Sequence, residues 1–207
     1  MNERAPSAEP EPAAAAAPGL RLLRPVVLVG LMGAGKTSVG KRLAALLAAP
    51  FADSDAEVET AARMSVPEVF ARYGEPAFRD VERRVVARLV GAGPRIVATG
   101  GGAFVEPATR AAIAGRAVSV WLDADLETLW DRVRDRPGRP LLEAPDPRAR
   151  LAELLARRRP AYALADVRVE SRRGATHETM ARAIVDAVRA REAADPAAPR
   201  TFAETAP

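Results

Sequence analysis

The most specific chemistry in this 207-residue chain sits in eight consecutive residues, Gly30-Leu31-Met32-Gly33-Ala34-Gly35-Lys36-Thr37. They match G-x-x-x-x-G-K-[ST] without a mismatch, the spacing of a loop that cradles phosphates. Glycines let backbone N–H groups curl around phosphate oxygens where a Cβ would collide. Lys36 supplies a point charge for β- and γ-phosphates, and the Thr37 hydroxyl is placed to ligate Mg²⁺. A plain glycine-rich turn between strand and helix explains the glycines but not the Gly-Lys-Thr that ends the motif. All but two of the 31 basic residues are arginine, and one of the two lysines, Lys36, stands in this loop. The other, Lys41, reads as a solvated helix position.

A second candidate group is Asp53-Ser54-Asp55. Two residues apart in an extended segment at the end of the second strand, both carboxylates would point the same way, toward the phosphate loop. One can help hold Mg²⁺ and the other can take the proton of an acceptor hydroxyl. An aspartate capping the next helix would account for one carboxylate, not for both.

These groups need elements to position them. Val26–Val29 is a short β-branched run ended by glycine, as expected of a strand buried on both faces. A helix over 36–49 follows, with Val39, Leu43, Leu46 and Leu47 on one face and Pro50 as its stop. Helical patterns recur at 55–63, 66–73, 76–90, 106–114, 126–134, 148–159 and 176–191. Extended runs fall at 95–99, 117–122 and 166–170. Alternating strands and helices predict an α/β fold, a parallel sheet covered on both faces with ligands beyond the carboxyl ends of its strands. Four prolines and a glycine between Asp135 and Pro147 mark a loop. The Pro/Ala/Glu-rich ends, 1–23 and 192–207, are expected to be disordered tails, leaving one folded domain over 24–191.

Composition excludes several functions. With no cysteine there are no disulfides, thiolate metal sites or cysteine nucleophiles. Asparagine occurs once, at Asn2, and glutamine not at all, so the guanine-reading and water-positioning residues of a Ras-type GTPase are missing. No segment reads as an export signal or a membrane span, which points to the cytoplasm. The +4 net charge has no aromatic platform beside it, and neither a nucleic acid nor a membrane is expected as partner. His177 reads as exposed, and Trp121 and Trp130 as wholly or partly buried.

Taken in order with Phe78-Arg79 and Glu82, Thr99-Gly100-Gly101-Gly102, Arg139-Pro140-Leu141-Leu142 and Arg158-Arg159-Pro160-Ala161-Tyr162, these motifs resemble the shikimate kinase family over essentially all of 24–191. The resemblance implies a three-layer P-loop NTPase fold, nucleoside-monophosphate-kinase-like, with a mobile lid at about 135–147. It implies transfer of the γ-phosphoryl group of ATP to the 3-hydroxyl of shikimate in aromatic amino acid biosynthesis, with Mg²⁺. Gly33, Ala34, Gly35, Lys36, Thr37 and Ser38 would hold the nucleotide, with Thr37 and Asp53 on the metal side. Asp55 would contact the substrate hydroxyls and serve as base. Arg79, Gly101 and Arg158 would bind the substrate, and an arginine fork suits its carboxylate better than lysine would. Glu82, at i+3, can orient Arg79. Arg139, with Arg136 close by, would reach from the lid to the transferring phosphoryl group, and Arg172 or Arg173 would touch the nucleotide. Arg157 and Arg159 flank Arg158 and compete with it for its role. The small-molecule substrates shikimate and ATP are the expected partners of a monomer. The competing readings are a gluconate-type or other small-metabolite or nucleotide kinase of the same fold, and a non-catalytic nucleotide-binding protein.

Overall fold

The computed structural model describes residues 19–135, 140–142 and 144–205. Residues 1–18 of the tail expected over 1–23, and the lid residues Arg136 and Arg139, lie outside the described residues. Five parallel strands form one sheet in the order β3-β4-β2-β5-β6: β2 (Val26–Val29), β3 (Phe51–Asp53), β4 (Ile96–Ala98), β5 (Val118–Asp123) and β6 (Val167–Glu170). β2 is central, with Val26 opposite Ile96 on one side and Val118 on the other. All of β2, β4 and β5 is buried, as β-branched strands must be when helices cover both faces. At the sheet edge β6 alternates buried and exposed residues.

The register brings three strand ends together. Asp53 lies level with Ala98, and Ala98 with Leu28, so Gly30, Asp53 and Gly100 leave the sheet along one carboxyl edge. The helices are α1 (Lys36–Leu46), α2 (Ser54–Ala62), α3 (Val66–Gly91), α4 (Pro107–Ile113), α5 (Leu126–Val133), α6 (Pro147–Tyr162) and α7 (His177–Ala194). The two helices expected over 66–73 and 76–90 meet at Gly74, whose φ of 77° and ψ of 172° break α3 in two. Among the described residues no helix is long and apolar enough to cross a membrane.

The carboxyl-terminal expectation needs correction. α7 runs on to Ala194, and β7 (Phe202–Glu204) pairs antiparallel with β1 (Leu20–Leu22). Phe202 is 4% exposed and Leu22 5%, so an apolar side chain from each of the chain's two extensions is buried on the core. The folded unit therefore extends beyond 24–191 at both ends.

Candidate active site

α1 differs from most of its neighbours at its amino end. α2, α3, α5, α6 and α7 are capped by the side chains of Asp53, Ser65, Asp125, Asp146 and Thr176. α1 starts from Gly35, with φ 98°, no side-chain cap and no acidic residue in its first turn. Its amino-terminal N–H groups are thus left for an anion, which the helix dipole also favours. Gly33, with φ +83°, could not carry a side chain either, since a Cβ would lie 2.8 Å from Val133 of α5. A cleft of about 500 Å³ opens over this loop, lined by Gly33 to Ser38 together with Asp53, Asp55 and Gly101. Lys36 Nζ donates to the carbonyls of Gly30 (2.8 Å) and Leu31 (3.0 Å).

Asp53 and Asp55 both reach the cleft, but not as two residues of one strand. The strand ends at Asp53, and Asp55 lies in the first turn of α2. Asp53 Oδ1 accepts the Asp55 N–H at 3.0 Å as the helix cap, and Asp53 Oδ2 accepts from the Thr37 hydroxyl at 2.7 Å. One carboxylate thus caps a helix and meets the phosphate loop. The pair comes together because capping turns Asp55 back over the strand end, whereas strand alternation plays no part. Burial first, then the charge of Asp53, raises the Asp55 carboxyl above its usual value, with Lys36 opposing.

Of the triplet Gly100, Gly101 and Gly102 only Gly101 lines the cleft, and the three make room for different charged groups. A Cβ on Gly100 would lie 2.5 Å from Asp55 Oδ1 and 2.7 Å from Glu82 Oε1. One on Gly102 would lie 2.5 Å from both terminal nitrogens of Arg79. One on Gly101 would meet Arg158 at an ordinary 3.4 Å. Arg79 and Arg158 thus flank the triplet without lining the cleft over the phosphate loop. Arg79 donates to Glu82 at 2.6 Å, and to Glu75 through Nε at 3.2 Å and Nη2 at 3.0 Å. Burial works against the charge of Arg79, but Glu82 and Glu75 outweigh it and hold the guanidinium more firmly protonated. Glu82 is 1% exposed, its Oε1 has no hydrogen-bond partner, and burial raises its carboxyl to about 7 despite Arg79.

The arginine cluster of α6 sorts itself by burial. Arg158 is 6% exposed and faces Gly101, while Arg157 is exposed. Arg159 pairs with buried Asp123 at 2.9 Å and lies over the Trp121 ring, sharing both with Arg168 of β6. Tyr162, one turn on, donates its hydroxyl to the Gly101 carbonyl, and burial pushes that phenol up to about 12 against the pull of Arg158. Arg172 and Arg173 are exposed and paired with Glu170 and Asp131.

A family model described as shikimate kinase matches residues 32–189. The chain belongs to the shikimate kinase family. It is 54% identical over 149 residues to a shikimate kinase of Mesorhizobium japonicum, covering 72% of this chain and 73% of that protein. It is also 54% identical over 157 residues to one of Novosphingobium aromaticivorans, covering 74% and 81%. Among solved structures, a shikimate kinase from Acinetobacter baumannii in complex with shikimate matches with a TM-score of 0.77 and 36% identity. That match covers 81% of this chain and 94% of the other. This membership makes the chain a kinase that phosphorylates a hydroxyl acceptor, on a sheet flanked by helices as the P-loop fold requires.

Arg132, Ser171 and His177 also line the cleft, a placement that sequence reasoning did not give them. His177 is exposed, as expected, yet it borders the cleft at the start of α7. Arg132 carried no usable signal in so arginine-rich a chain, and Ser171 belongs to no motif.

Proposed function

We propose that this chain transfers the γ-phosphoryl group of ATP to the 3-hydroxyl of shikimate, giving 3-phosphoshikimate and ADP. The observation that carries this is the glycine triplet. On one stretch of backbone it seats a raised carboxyl (Asp55) and two arginines, Arg79 and Arg158, beside a phosphate cradle. This arrangement supports a hydroxylated carboxylate as the acceptor. The nucleotide lies along Gly33 to Ser38, its phosphates on the loop amides and Lys36. The shikimate carboxylate is held by Arg79 and Arg158, which turns the ring hydroxyls toward Asp55. Asp55, pushed toward its protonated range, accepts the proton of the attacking hydroxyl as phosphoryl transfer proceeds. Most of the rate comes from alignment and from neutralising charge.

Among the described residues no three His, Cys or acidic side chains cluster to hold a metal alone. Thr37 and Asp53, already joined at 2.7 Å, are hard oxygen donors beside the cradle. They fit a Mg²⁺ that completes its shell with phosphate and water. When bound, the ion would neutralise the β- and γ-oxygens. Arg139 would supply further positive charge from the lid. ADP release by the full chain should require shikimate; release driven instead by gluconate or a nucleoside monophosphate would overturn the proposal.

A further inference from the structure

The wall of the cleft beyond the phosphate loop is a closed hydrogen-bond set. Arg132, from α5, donates through Nη1 to the Gly33 carbonyl at 3.1 Å and to Ser171 Oγ at 2.9 Å. Its Nη2 donates to the Arg172 carbonyl at 3.1 Å. Ser171, the residue after β6, is 2% exposed and donates its own hydroxyl proton to the Ala34 carbonyl at 3.2 Å. Its backbone N–H is spent on Asp123, so the side chain alone makes the contacts to the loop and to Arg132. Two successive loop carbonyls, Gly33 and Ala34, are therefore held by side chains from two separate elements.

In a trans peptide the carbonyl and the N–H of the next residue point in opposite directions, and no peptide bond among the described residues is cis. Holding the Ala34 carbonyl toward Ser171 aims the Gly35 N–H away from it. Gly35 is the cap of α1, where an anion is favoured. The Ala34 N–H, partner of the Gly33 carbonyl, turns back to Leu31 at 3.1 Å and is unavailable to a ligand. The loop thus has one peptide facing inward and one aimed at the cradle.

We propose that Ser171 is a positioning residue for the phosphate loop, acting through the Ala34 carbonyl and Arg132 to keep the Gly35 amide directed at the nucleotide's terminal phosphates. The inference rests on the nucleotide occupying this cleft. In the Ser171→Ala variant the Ala34 carbonyl loses its partner and Arg132 keeps only its backbone contacts. The loop is then free to rotate that peptide, while the rest of the cleft is unchanged. A residue that merely supported the fold would weaken every nucleotide alike. A residue that aims the cradle weakens only ligands that reach it.

The test is calorimetric titration of the full chain with ADP and with AMP, alongside a thermal melt. Ser171→Ala should weaken ADP about tenfold and AMP less than twofold, with shikimate affinity unchanged. Ser171→Thr, which keeps the hydroxyl, should restore the wild-type ratio of ADP to AMP affinity. Equal weakening of both nucleotides, or no weakening of ADP, would overturn the role of Ser171. Failure of the wild-type chain to bind ADP would overturn the nucleotide reading itself.

Discussion

Replacing each glycine of the triplet by alanine should give three different enzymes. None of Gly100, Gly101 and Gly102 has positive φ, and Gly102 sits at φ −97°, so alanine is compatible with the backbone and only the added Cβ matters. At Gly102 that carbon would stand 2.5 Å from two Arg79 nitrogens and 2.6 Å from the guanidinium carbon. Arg79 cannot retreat freely, because Glu82 and Glu75 hold it from the other sides. The guanidinium must shift by about 1 Å to reach ordinary contact distance. Losing one charge-assisted hydrogen bond to the substrate carboxylate costs about 1.5–3 kcal/mol, equivalent to about a ten- to hundredfold rise in shikimate KM. The ATP KM should stay within about twofold, since Arg79 does not line the nucleotide cleft. At Gly100 the new carbon would strike Asp55 and Glu82, so kcat should fall there by a larger factor than KM rises. At Gly101 the nearest atom is 3.4 Å away, and the enzyme should keep at least about a third of its kcat/KM. Steady-state kinetics with each substrate varied in turn reads all three. Equal effects of the three variants on both KM values would refute the assignment of Asp55 and Glu82 to Gly100, Arg158 to Gly101 and Arg79 to Gly102.

Lys36→Ala should lower turnover at least about a thousandfold with an unchanged melting curve; near-normal turnover would remove Lys36 from the mechanism. Glu82→Gln should alter the pH dependence of stability. A carboxyl raised on folding from 4.5 to about 7 adds stability fully below its unfolded value and loses it as pH climbs through the folded one. Wild type should therefore lose stability relative to the variant between pH 4.5 and about 7, by on the order of 3 kcal/mol, in melts across that range. Parallel melting curves would contradict the raised carboxyl. Phe202→Ala should cost about 3 kcal/mol or more in chemical denaturation and leave kcat unchanged well below the melting temperature. A neutral effect would return residues 192–207 to the status of a tail.

The parts legible in the sequence were those whose chemistry is carried by contiguous residues or by simple periodicity. The phosphate loop, the buried strands around it and the break at Gly74 follow from glycine placement and β-branched runs. The pairing of Leu20–Leu22 with Phe202–Glu204 was not legible, because one phenylalanine in Pro/Ala/Glu-rich sequence gives no period to read. Asp53 and Asp55 read as a pair in the sequence through strand alternation, whereas the structure joins them through a residue that is both strand end and helix cap. The sequence does not distinguish Arg158 from Arg157 and Arg159, because what sets them apart is burial of Arg158 and the contact of Arg159 with Asp123 and Trp121, more than thirty residues earlier. The same holds for Arg132 and Ser171, whose roles lie in loop carbonyls far away in the chain.

The central claim is that the Asp55, Arg79 and Arg158 side delivers one hydroxyl of a carboxylated ring to the phosphate bound at Lys36. Phosphorus NMR of a mixture of the full chain, shikimate and Mg·ATP tests it directly. The account predicts one ADP formed for each 3-phosphoshikimate, with no phosphate ester at another hydroxyl. A phosphate on a different oxygen, or ATP consumed to free phosphate with shikimate unchanged, would contradict it.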